Sequence, residues 1–145
     1  TPSPSEFCLF CAEELPIEGN FEVYMVSDRK PHQISTTAVY EVGNNTCKVY
    51  CKNRSLADCL RSIAHEMTHM MQDEMGLLVG HIQDAGGFHE DQANSKAGEL
   101  IKLFAKSKED RKAIYESSYN KTKNLSDVTL SFTFFSSDYY KKDTI

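Results

Sequence analysis

In the stretch LRSIAHEMTHMMQDEMG, residues 60–76, His65, Glu66 and His69 stand in the order H-E-x-x-H. Residues four apart on a helix lie about 6 Å from one another on one face, so the two imidazoles can reach a single ion with Zn–N bonds of about 2.0–2.1 Å. Glu66 lies one position further round. A carboxylate offset in this way stays out of the ligand set and suits a base that takes a proton from a water at an open position on the metal. The competing reading is a polar helix face that happens to carry two histidines, and a bare motif does not separate the two.

A catalytic zinc ion needs a third protein ligand. The downstream candidates are His81, Asp84, His89, Glu90 and Asp91. Gln72 and Met75 exclude the three-histidine continuation H-E-x-x-H-x-x-G-x-x-H. In GGFHEDQANSKAGELIKLF, residues 86–104, a helical projection gathers Ala93, Ala97, Leu100, Ile101 and Phe104 into a buried stripe that also contains Glu90 and Asn94. A carboxylate on an apolar face is costly unless it is paired, and a metal ion would pair it. Asn94, one turn further on, is expected to hydrogen-bond a ligating histidine or Glu90. His89 projects to the edge of the stripe and stays the alternative ligand. Without a metal, Glu90 would be a half-buried salt-bridge partner and Asn94 a hydrogen-bonded core amide.

These side chains require two helices in contact. Ser55 and Asp58 open a helix over residues 56–75 that stops at Gly76. Its apolar stripe is Leu56, Leu60, Ile63, Met67, Met70 and Met71. The opposite face carries Asp58, Arg61, Ser62, His65, Glu66, His69, Gln72 and Asp73. A second helix is expected over 88–106, and Ser107 with Asp110 predicts a third over 108–120. Upstream, Ser3, Pro4 and Glu6 start a helix over 4–14, and β-rich runs follow at 21–26, 36–42 and 46–51. GNN at 43–45 makes the last two runs a hairpin. DVTLSFTFF at 127–135 reads as a strand, and residues 136–145 as a mobile tail. The order implies one α+β domain over residues 1–145, a small, mostly antiparallel sheet packed on the metal-binding helix with further helices C-terminal.

The formal net charge is −5, and the 16 Lys and Arg residues are scattered, so no footprint for nucleic acid is present. No run approaches the roughly 18 apolar residues of a membrane span, and the polar start TPSPSEF is no secretory core; a cytoplasmic monomer is expected. Five cysteines, an odd number, fit reduced thiols. The pairs Cys8/Cys11 and Cys47/Cys51 lack the glycines of a zinc knuckle and read as small buried hydrophobes. Arg61 reads either as a substrate or Asp58 contact or as a surface ion pair.

With His65, Glu66, His69 and Glu90, the chain resembles the gluzincin type of zinc metallopeptidase. KVYCKNRSLADCLRSIAHEMTHMMQ together with EDQANSKAGELI further resembles small metallopeptidase-like proteins of tailed bacteriophages, over about residues 36–106. In thermolysin-like members an acid four residues after the ligating glutamate supports a histidine; here that position is Asn94. The resemblance implies a minimal zincin-like domain, one zinc ion, a peptide or protein substrate and, for a viral protein, the host cytoplasm. It also implies a peptide lying beside the edge strand before the zinc helix, at residues 46–52, with Val49, Tyr50 and Cys51 as contacts. Gluzincins usually supply a His or Tyr to the oxyanion; no position matches such a motif, and Tyr115, Tyr119 and His81 are the candidates. The expected function is a zinc-dependent endopeptidase with Glu66 as general base. The alternative is a non-catalytic, zinc-stabilised structural or host-interaction protein.

Overall fold

The Ser3 hydroxyl accepts the Glu6 amide at 3.2 Å and Pro4 fills the first turn, which starts helix α1 at Pro4–Glu14. The computed structural model describes residues 2–78, 87–116, 118–119, 127–135 and 138–143, without the side chains of 118–119, 134–135 and 138–143. Phe7, Cys8 and Cys11 of α1 face the core, where Phe7 and Phe10 meet the Phe104 ring edge-on at 5.0 and 5.3 Å.

Strands β1 (Phe21–Val26), β2 (Ala38–Glu41) and β3 (Thr46–Tyr50) follow, with β2 and β3 forming the expected hairpin around Gly43, whose φ of 88° suits glycine. Residues Arg54–Ser55 form the short β4, and helix α2 then spans Leu56–Glu74 and helix α3 Phe88–Ser107. Two later strands, β6 (Val128–Phe135) and β7 (Asp138–Asp143), complete a five-stranded sheet in the order β2-β3-β1-β6-β7. Among the described residues only the β1–β3 pairing is parallel. The fold is thus α+β with a mixed, mainly antiparallel sheet. Val23, Met25, Cys47, Val49, Leu130 and Phe132 point from it into one core shared with all three helices. Among the described residues no helix is long and apolar enough to cross a membrane.

Two expectations are corrected. Residues 108–120 do not form an α-helix: a 3-10 segment covers Glu109–Tyr115, and β5 (Ser118–Tyr119) then pairs with β4. Ser107 is not a helix cap, because its hydroxyl donates to the Phe104 carbonyl at 2.6 Å and accepts from Arg111. Arg111 also reaches Glu6 at 2.7 Å and lies 4.2 Å over the Phe104 ring, pulling the chain into a tight turn. Nor are residues 136–145 simply a tail, since residues 138–143 form the outer strand β7. Its charges look like those of a solvated segment, but charge is also what protects an edge strand.

The five cysteines are free and buried, as read from their spacing, and burial pushes the Cys8, Cys11 and Cys47 thiols up. Among the described residues they form no metal-ligand cluster.

Helix α2 is held at both ends. Arg54 donates to the Tyr50 carbonyl at 2.7 Å, the Asp58 carbonyl at 3.0 Å and the Ser62 hydroxyl at 2.8 Å, tying the first turns to the end of β3. At the other end stand Asp73 and Glu74, which the helix dipole disfavours. They serve as anchors instead: Asp73 accepts the Tyr40 hydroxyl at 2.5 Å and the Gly43 amide at 2.7 Å, and Glu74 the Glu18 and Gly19 amides at 2.9 and 2.6 Å. Burial and the Asp73 carboxylate raise the Tyr40 phenol, keeping it a donor. Asp127 similarly accepts the Ser27 amide at 3.0 Å and contacts His32 at 2.8 Å.

Tyr40→Phe and Asp73→Asn should each destabilise the fold by about 1–2 kcal/mol, with losses in a double-mutant cycle that are less than additive, as read by urea unfolding. The Ser27 amide, and then His32, hold the Asp127 carboxyl below the usual range. A depressed folded pKa gives stability that is complete above the unfolded value of about 3.9 and is lost as pH falls through the folded value. Asp127→Asn should therefore flatten the acid limb of the stability curve, measured as urea midpoints between about pH 5 and 2.

Candidate metal centre

The centre lies where α2 packs on α3. The polar face of α2 is covered in part: Glu66, His69 and Gln72 are buried and His65 is half-buried, while Asp58 and Arg61 stay exposed, and Met71 of the apolar stripe is only partly buried. Ala93 and Ala97 are the α3 residues buried beside it, and small side chains let the two helices approach.

His65, His69 and Glu90 converge as a group that could hold a metal ion, their ligand atoms all within 4.8 Å of one another. His65 Nε2 lies 2.6 Å from Glu90 Oε1, and His69 Nε2 lies 3.0 Å from Glu90 Oε2. The imidazole rings stand nearly perpendicular, with centroids 5.0 Å apart. Burial lowers the His65 pKa, with the Glu90 charge opposing, so the ring is held in the neutral form that ligates.

Gln72 decides what the His69 ring presents. Its Nε2 donates to the His89 carbonyl at 3.0 Å, an acceptor only, and to Gln92 Oε1 at 2.8 Å. The amide orientation is thereby set, and Gln72 Oε1 faces His69 Nδ1 at 2.8 Å. His69 must carry its hydrogen on Nδ1, which leaves Nε2 of the neutral ring a bare lone pair pointing at a carboxylate oxygen. Two electron-rich atoms 3.0 Å apart require a proton or a metal cation between them. Two imidazoles and a carboxylate are also the donor set of a three-ligand catalytic zinc site, whose tetrahedral edges are about 3.4 Å. The donors present fit zinc with small adjustments.

Glu66 stands outside this set, its Oε2 4.0 Å from His65 Nε2. Only 8% exposed, its carboxyl is pushed up to about 8 by burial and then by the Glu90 charge. A cation among the three ligands would draw it back toward the ionised form. His65, Glu66 and Glu90 open onto a cleft of about 480 Å³ whose other walls include Thr36, Thr37, Ala38, Arg61, Asn94 and Ala97.

Of the other candidates, Asn94 lies close enough to His65 to favour its charged form, from an exposed position on the cleft wall and not from the buried stripe. His89 is not in the ligand group; its ring lies against Phe88, and its buried Nδ1 has no hydrogen-bond partner among the described residues. Val49, Tyr50 and Cys51 are not placed to contact a peptide. Strand β3 lies between β2 and β1, Val49 and Cys51 are in the core, and the Tyr50 amide donates to the Thr37 carbonyl. The edge strand is β2, which the hairpin folds outside β3. Tyr115 is exposed and does not line the cleft, whereas His81, Asp84 and the Tyr119 side chain lie outside the described residues. Gln72 was the residue missed: its type and its place one turn after His69 were visible, but its partners come from α3.

No family model, curated protein or solved structure matches this chain.

Zinc titration should give one equivalent per chain for the wild type and none for His69→Ala. Gln72→Leu should keep the fold and weaken zinc by about 10–100-fold in competition with a chelating dye, because the His69 ring loses the acceptor that fixes its tautomer.

Proposed function

We propose that this protein is a zinc-dependent endopeptidase in which His65, His69 and Glu90 hold one zinc ion and Glu66 is the general base. The reading rests above all on Glu66. A buried carboxylate beside, but not among, three converging metal donors, and lining an open cleft, suits proton transfer better than ligation. Among the described residues no fourth donor joins the group, which is what a catalytic zinc site with a place for water would require.

When bound, zinc supplies a Lewis acid for the scissile carbonyl and acidifies water at its open position. Glu66 takes the proton of the attacking water and returns it to the leaving amine, so the peptide bond is replaced by a carboxylate and an amine. Gln72 holds the His69 ring through Nδ1, and Asn94 stands beside His65 on the cleft wall. The burial of Glu66 keeps its basicity high.

The substrate is an extended peptide or protein segment that adds to the edge of β2 that has no strand paired to it among the described residues, where Thr36, Thr37 and Ala38 border the cleft. Backbone pairing there would carry affinity with little demand on sequence.

Glu66→Gln should retain one zinc per chain and an unchanged urea midpoint while kcat/KM on quenched fluorescent peptides falls by about 10²–10⁴-fold. Equal turnover by this variant would remove Glu66 from the chemistry. A zinc-loaded wild type that cleaves nothing in a broad peptide library would leave a structural role for the metal.

A further inference from the structure

The cleft contains a charged group that neither metal ligation nor proton transfer uses. Arg61 stands one helical turn before His65 and is the only Lys or Arg among the described residues lining the cleft. Surface arginines usually pair with a nearby acid, and Asp58 is three residues away on the same helix. Yet among the described residues the Lys and Arg ion pairs are Lys48–Glu41, Lys96–Glu99 and Arg111–Glu6, and Arg61 is in none of them. Its neighbour Arg54 is fully engaged with Tyr50, Asp58 and Ser62, so the two arginines are not interchangeable.

The side chain is exposed, but its guanidinium leans toward the neighbouring helix. Its Nη1 reaches across to α3, where it would lie 3.8 Å from a Cβ placed on Gly98, next to the cleft residue Ala97. The side chain therefore spans from α2 toward α3 beside the cleft, and among the described residues no hydrogen bond or ion pair engages its guanidinium. Thr36 and Thr37, exposed on the opposite wall, add hydroxyls.

We infer that Arg61 is the specificity-determining residue of this cleft and binds a carboxylate of the bound peptide. A guanidinium fork matches a carboxylate with two parallel hydrogen bonds, a geometry a neutral amide cannot reproduce. The inference rests on the peptidase reading for its placement along a substrate. One helical turn separates Arg61 from His65, about 6 Å, and an extended peptide advances about 3.3 Å per residue. The carboxylate recognised thus belongs one or two residues from the scissile bond. Either an acidic side chain or the C-terminal carboxylate of a short peptide supplies the same chemistry.

The test is binding, read separately from turnover, on the zinc-loaded full chain. Three fluorescein-labelled octapeptides are compared by anisotropy: one with a central Glu and an amidated end, one neutral with a free C-terminal carboxylate, and one neutral and amidated. Wild type should bind at least one carboxylate peptide about tenfold or more tightly than the neutral one, and that arm names the source. Arg61→Met should lose this preference while binding the neutral peptide as before, and Arg61→Lys should keep part of it. The preference should also weaken as salt rises from about 0.05 to 0.5 M. Zinc content and urea midpoint of both variants, expected unchanged for an exposed side chain, exclude misfolding. The inference is overturned if wild type does not distinguish the three peptides, or if Arg61→Met discriminates as well as wild type. Carboxylate binding lost in Arg61→Met, together with absent cleavage by wild type, would overturn the peptidase reading and keep the carboxylate site.

Discussion

Two imidazole nitrogens and a carboxylate that face one another at 2.6 and 3.0 Å between two packed helices need positive charge at their centre. Protons can supply it, but the Gln72 amide oxygen accepts the hydrogen on His69 Nδ1, on the far side of the ring. The position of α3, the small residues where it meets α2 and the buried amide chain from His69 through Gln72 to His89 and Gln92 all serve that one convergence. A metal ion held there would offset the cost of burying these polar groups at the helix interface.

A site of this kind works only if its donors are held to within about half an ångström. Helix α2 is fastened accordingly, by Arg54 at its start and by Asp73 and Glu74 at its end. The two acids sit against the helix dipole, an arrangement that is unfavourable in isolation. Three backbone amides and a phenol offset it, and in doing so fix the helix relative to the β2–β3 hairpin and the turn before β1. The hairpin in turn places Thr36–Ala38 on the cleft. Scaffold and site are thus one mechanical unit, with the metal donors and the edge strand located from the same anchors.

The division of labour among the charges follows from depth. Glu90 is partly exposed and shared between two histidines, Glu66 is buried and unshared, and Arg61 is exposed and free of ion pairs among the described residues. Each position matches a different duty in the proposed reaction: ligation, proton transfer and substrate selection.

Local chemistry made much of this legible. Ser3, Ser55 and Gly76 mark helix ends, the alternation in residues 21–26 and 46–50 marks strands, and the spacing of His65 and His69, with Glu90 on the next helix, pointed to a donor set beside Glu66. These features depend on residues within a few positions of each other, or on one helical projection. What depended on distant partners was decided by the tertiary structure alone. The edge strand is β2 and not β3, because β1 pairs in parallel with β3. Residues 138–143 become a strand only because β6 offers an open edge. Glu66, His69 and Gln72 on the polar side of α2 are buried where α3 packs over them, which makes Gln72 the group that orients His69. Periodicity states which residues share a face; it does not state what covers that face, since burial and hydrogen-bond pairing belong to the element packed against it.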